Sequence, residues 1–175
     1  MTAKKMLVVV LSRTGAVLGA ATRSTPGVPA VGDLVGDGLV ARRRNSEASV
    51  VIPPEDLEVK EVDYSDDVLH DPRAHVVDAS GSVAAPAYRI ASITSTNTGV
   101  TVTVDTGSPA VVAPDKTVLV VIDGGPNQGP LKFSGKTALN VAATLVPVSG
   151  VPPGIHMVLA SVDGYASRLR AHTFS

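Results

Sequence analysis

The apolar residues of this chain come in short runs rich in Val, each cut off by Gly or Pro. MLVVVL at 6–11, VTVTV at 100–104, TVLVVI at 117–122 and IHMVLASV at 155–162 share one texture. β-Branched residues bounded by turn formers favour strands over helices, because the branched side chain suits a pleated surface and loses rotamer freedom in a helix. Sixteen Gly and thirteen Pro keep every run short. The expected fold class is therefore all-β. Its core has to be aliphatic, since Phe and Tyr total five and Trp is absent.

The first half reads irregularly. Residues 6–22 predict a hairpin, with a turn at Ser12, Arg13, Thr14 and Gly15, where Gly15 supplies a positive φ. Gly32, Gly36 and Gly38 argue against a stable helix over 31–40, at about 1 kcal/mol per Gly relative to Ala. Residues 48–52 predict a strand stopped by Pro53 and Pro54, and 57–62 alternate as a half-exposed strand does. A short strand is expected at 74–77. DASGSVAAP at 78–86 is small, polar and ends in Pro, which suits a domain boundary. The second half is more regular. Seven strands are expected at 88–95, 99–105, 117–122, 129–133, 138–148, 155–162 and 166–172, separated by Gly-, Asn- and Pro-rich turns. Regular short strands with turn signals describe a β-sandwich. The chain thus reads as two small β domains: 1–80, a hairpin plus an acidic loop, and 86–175, a sandwich.

GKTALNVAATLVPVSGVPPGIHMVLASVDGYASRL, at 135–169, resembles the closing strands of immunoglobulin-like modules of the IPT or bacterial Ig-like kind. In those modules a strand, a Pro-Gly turn and a strand ending in an Asp-Gly hairpin are common. The resemblance covers about 117–175, a third of the chain, and lacks the Cys…Trp…Cys framework of antibody domains. It implies an Ig-like sandwich at the C-terminus. Such modules occur in cell-surface proteins and decorate phage-tail-like particles and contractile injection devices. The resemblance therefore implies a structural subunit of such a multi-protein assembly, with protein partners or self-association.

Charge and composition narrow the function classes. A net charge of −1 offers no basic excess to neutralise phosphates, so no nucleic-acid partner is expected. The one dense basic run, Arg42, Arg43 and Arg44, lacks interleaved aromatics and reads as a solvated loop. Without Cys there are no disulfides, thiolate metal sites or thiol nucleophiles. Lys4 and Lys5 before an apolar run of six residues imitate a secretory signal, but the run is too short and Arg13 follows. A buried first strand, a cytoplasmic location and no membrane insertion are the expectations, with release as part of a particle compatible with them.

Three segments carry candidate chemistry. Asp63, Asp66, Asp67, His70 and His75 form the densest polar cluster, with oxygens suited to Ca²⁺ or Mn²⁺ and imidazoles suited to Zn²⁺. A small metal- or ligand-binding module, or a metal-dependent enzyme, centred there is the alternative function. The EF-hand pattern fails, with Val68 in place of its Gly and Ala74 in place of its bidentate Glu. The competing reading is an exposed acidic turn bonded to its own backbone. In GPLKFSGKT, Pro130 stands where a phosphate-binding loop needs Gly, so a nucleotide site is not expected. Gly124, Gly125, Asn127 and Gln128 lie in a turn-dense loop suited to interaction. His156 sits in an apolar strand beside a turn, and no G-x-S-x-G elbow occurs. No cofactor and no catalytic residue are expected.

Overall fold

The computed structural model describes residues 4–23, 27–42, 48–106, 112–125 and 128–175. In chain order the N-terminal half contains β1 (Lys5–Leu11), β2 (Val17–Thr22), α1 (Val31–Val35), β3 (Leu39–Arg42), β4 (Ser49–Ile52), β5 (Leu57–Asp63), α2 (Asp66–His70), β6 (Val76–Val77) and β7 (Val83–Ala84). Single 3₁₀ turns occupy Pro54–Asp56 and Pro72–Ala74. Among the described residues the elements of the C-terminal half are strands: β8 (Arg89–Thr96), β9 (Gly99–Asp105), β10 (Thr117–Ile122), β11 (Leu131–Lys136), β12 (Ala143–Pro147), β13 (Gly154–Val162) and β14 (Arg168–Phe174). The all-β class holds.

The predicted hairpin is present: β1 pairs antiparallel with β2, and the Leu11 amide donates to the Ala16 carbonyl at 2.9 Å. Gly15 has φ +69°, and a Cβ there would stand 2.5 Å from the Val77 carbonyl oxygen, so the turn needs Gly on both counts. On its other side β1 pairs with β5, giving the order β2-β1-β5. Two expectations need correction. One helical turn does form at Val31–Val35, ended at Gly36 with φ +59°, because a single turn tolerates the Gly that a longer helix would not. The strand expected over 138–148 begins only at Ala143, because Asn140 turns the chain at φ +57°. The 78–86 segment is the tight turn and second strand of the β6–β7 hairpin, with Asp78 Oδ1 accepting the Ser80 and Ser82 amides.

The C-terminal half packs a three-stranded sheet, β12-β9-β8, against a four-stranded sheet, β11-β10-β13-β14. Ile90, Val100, Val102, Val118, Val120, Val158 and Val162 fill the space between them. Both lateral margins are drawn together. At one, the Arg168 guanidinium donates from Nη1 to the Ile90 carbonyl at 2.6 Å, tying β14 to β8. At the other, a Cβ on Gly135 would meet Val146 Cγ2 at 3.2 Å, so the missing side chain lets β11 approach β12.

β10 and β13 are apolar at consecutive positions because they bury both faces. Their even-numbered residues face the sandwich interior, while Leu119, Val121, Met157 and Leu159 face the opposite way. There they meet Val9 and Leu11 of β1, Leu18, Val50, Ile52 and Leu57. β1 repeats the arrangement: Met6, Val8 and Val10 turn to a third cluster with Val17, Val62, Val68 and Val77. The molecule is thus a stack of apolar layers in which each half completes the core of the other. A buried hydrogen bond between Thr14 and Ser161 hydroxyls, 2.7 Å apart, crosses the same seam.

Candidate functional site

The acidic segment folds on itself. Ser65 caps α2 by accepting the Val68 amide, and Asp66 and Asp67 occupy the first helical turn, where the helix dipole favours carboxylates. Asp63 pairs with Lys5 at 2.7 Å. Asp66 accepts the Tyr64 hydroxyl at 2.6 Å, and that bond raises the tyrosine pKa by stabilising its protonated form. His70 Nδ1 lies 2.8 Å from the Asp66 carbonyl and His75 Nδ1 2.9 Å from that of Asp71, a local ring-to-backbone contact four residues back in each case. Among the described residues no three carboxylate or imidazole groups gather where one ion could be held. Each of Asp63, Asp66, His70 and His75 is instead engaged with a neighbour in sequence or across β1, and Asp67 is exposed.

The Gly-rich loop after β10 is shaped by close approach. A Cβ on Gly124 would stand 2.2 Å from the Gly129 carbonyl oxygen, so the loop closes on a buried Gly. Gly125, at φ +87°, donates its amide to Asp123 Oδ1, and exposed Gln128 donates its own to the Gly125 carbonyl at 3.3 Å. Asn127 lies outside the described residues. His156 anchors the loop from beneath. Only 5% exposed, its ring sets Nδ1 2.6 Å from the Asp123 carbonyl oxygen and Nε2 2.8 Å from that of Pro152. Both oxygens only accept, so the ring is held by a hydrogen bond from a ring N–H to a loop carbonyl. The Phe174 ring closes the site edge-on at 5.8 Å. These contacts assign His156 to holding two loops.

Two surface features were not singled out by sequence reasoning. Leu139 (64% exposed) and Val141 (46%) lead into β12, whose Leu145 (63%) points away from the sandwich interior. Ala143 and Pro147 are exposed on the same period, while Thr144 and Val146 are buried. Ala143, Leu145 and Pro147 therefore share the solvent-facing side of β12 beside the polar outer face of β9, where Thr101 and Thr103 sit, and exposed Leu139 and Val141 lie in the turn that precedes them. The alternation was legible in 139–147; which parity faces inward was not. The second feature is an open groove of about 470 Å³ between the 3₁₀ turn at Pro72–Ala74 and the start of β8 and β14. Asp71, Arg73, Arg89, Ser167, Arg168 and Arg170 line it. No sequence spacing announces it, because it joins residues about a hundred positions apart.

Comparison with protein-family models, with curated proteins and with solved structures finds no match to the chain. Among the described residues no helix is long and apolar enough to cross a membrane.

Proposed function

We propose that this protein is a non-catalytic structural or interaction protein that binds a second copy of itself through the outer face of its three-stranded sheet. The observation that carries this reading is the apolar set Leu139, Val141, Ala143, Leu145 and Pro147, which is solvent-facing and has no charged residue within 139–147. Contiguous exposed apolar surface on a folded protein marks an interaction site more often than scattered single residues do. Its β12 part is held to β9 by the ladder from Ala143 opposite Thr103 to Pro147 opposite Gly99.

The C-terminal half is proposed to be an Ig-like module. Numbering its seven strands in order, the three-stranded sheet runs first, second, fifth, and the four-stranded sheet fourth, third, sixth, seventh. This supports the reading because Ig-type sandwiches place their first, second and fifth strands in one sheet and their third, sixth and seventh in the other, although the fourth, which constant-type domains keep with the first, second and fifth, here pairs with the third. Membership of a multi-protein particle of the phage-tail-like or contractile-injection kind rests on the resemblance of 135–169 to such modules.

The test is solution mass. Light scattering on a size-exclusion column at tens of micromolar should give a mass above that of the 17.8 kDa chain, and Leu139→Lys with Leu145→Lys should return it to the monomer. A wild-type protein that stays monomeric, or an oligomer indifferent to both lysines, would sink the proposal that this strip is a self-association surface.

A further inference from the structure

Both lateral edges of the three-stranded sheet are closed to an added strand. The Val104 amide donates to the Ala142 carbonyl at 2.9 Å, and the Val148 amide to that of Thr98 at 3.0 Å. Even-numbered residues of β12 therefore bond to β9, and Ala143, Leu145 and Pro147 turn their backbone outward. Pro147 has no N–H to offer there. A Cβ on Gly135 would lie 3.8 Å from the Leu145 carbonyl oxygen, so β11 stands over this edge. At the other edge β8 is held to β14 by the Arg89–Ala166 bridge and by the Arg168 guanidinium on the Ile90 carbonyl. What the sheet offers a partner is its outer face.

That face carries no charge over three successive rows. The ladders set Thr94, Thr101 and Leu145 side by side in the middle row. Ser92, Thr103 and Ala143 form the row on one side, and Thr96, Gly99 and Pro147 the row on the other. Apolar groups thus gather on β12 and hydroxyls on β8 and β9. Gly99 shapes the block: a Cβ there would stand 2.6 Å from Leu145 Cδ1, so the missing side chain seats the leucine flat along the sheet. Two axes lying in the interface would stack the block on its copy. An axis along β9 would lay apolar β12 on the hydroxyls of β8, and would set Asp105, next on the same face of β9, against its own like charge. An axis across the strands lays β12 on β12 and brings Asp105 over the uncharged turn at Asn97 and Thr98 of the second copy. Resting on the self-association proposed above, we infer that two copies stack these faces antiparallel about a two-fold axis along the Thr94–Thr101–Leu145 row, with Gly99 positioning Leu145.

The chain has no Cys, so one introduced thiol is the only one present. Thr94→Cys, on the axis, should give covalent dimers with a bismaleimide spanning the ~10 Å between stacked sheets. Val28→Cys, an exposed position of the other half, should give none. A mixture of Ser92→Cys and Thr96→Cys chains should cross-link more than either chain alone, because the antiparallel stack sets one over the other; this also serves if Thr94→Cys does not fold. Gly99 has no left-handed φ and exposed Leu145 is free to swing outward, so Gly99→Ala should fold with an unchanged melt. Its dimer Kd should rise about fivefold or more, read by light scattering over a dilution series. A monomeric wild type would remove the self-association on which the stack rests. A wild-type dimer that cross-links neither at Thr94→Cys nor in the mixture overturns the two-fold stack and leaves the self-association standing. A dimer as tight with Gly99→Ala as without it overturns the role of Gly99.

Discussion

At the residue scale, three positions show how local chemistry is set by distant neighbours. Gly15 combines a left-handed φ with backbone contact to Val77, whereas Gly19, on β2, has nothing within 4 Å of a built Cβ. Gly15→Ala should therefore cost about 2 kcal/mol or more, from left-handed strain and a displaced backbone, while Gly19→Ala stays within about 0.5 kcal/mol in urea denaturation. His156→Ala removes the ring that spans the Asp123 and Pro152 carbonyls and opens a hole beside Phe174. A loss of about 2–4 kcal/mol is expected by the same measurement. His172, directly opposite His156 on β14, is the pH-sensitive one: burial first, and Arg170 second, lower its pKa. The folded protein then holds fewer protons on it than the unfolded chain. Stability is full above about pH 6.5 and declines as pH falls through that value toward the depressed one. The Ser80 hydroxyl, with the Ser82 amide, lowers the pKa of Asp78, which adds a second decline below the usual carboxylate range. His172→Phe should flatten the first decline in melting temperature against pH and leave the second.

At the scale of elements, parity decides most of the architecture. Val, Leu and Ile at consecutive positions in β1, β10 and β13 make a strand signal without assigning faces, and all three strands bury both. The nearest sequence cue is this missing alternation, since a strand with one wet face would show polar residues every second position. β12 does alternate, yet its apolar set divides between the interior, where Val146 is buried, and solvent, where Leu145 is exposed. Hydrophobicity alone cannot rank those two residues; the ladder with β9 does, by placing Val146 opposite buried Val100 and Leu145 opposite Thr101. The same limit explains the candidate sites. The acidic segment could be read as ligands because its residue types are right, but α2 and its Ser65 cap turn those groups onto local backbone.

For the whole molecule, the shared core predicts one cooperative unit. Leu11 and Val121 come from opposite halves and belong to the same buried cluster, with 0% and 1% exposure. Leu11→Ala and Val121→Ala should each lower a single unfolding transition, by about 2–4 and 1–3 kcal/mol respectively, as followed by calorimetry and far-UV dichroism together. Two separated transitions, with each substitution moving only its own, would show that the halves unfold independently. The groove is a property of the same union, since its Arg73 belongs to one half and its Arg89, Arg168 and Arg170 to the other.

The short Val-rich runs between Gly and Pro determined, by themselves, the all-β class, the first hairpin and seven strands in the second half, because β-branching, turn chemistry and run length are local. Tertiary structure alone decided which strands bury both faces, that a core spans both halves, that the acidic residues do not converge, and that four arginines meet in a groove. Those outcomes rest on pairing register and on contacts between residues far apart in the chain, and neither is encoded in the spacing of any single segment.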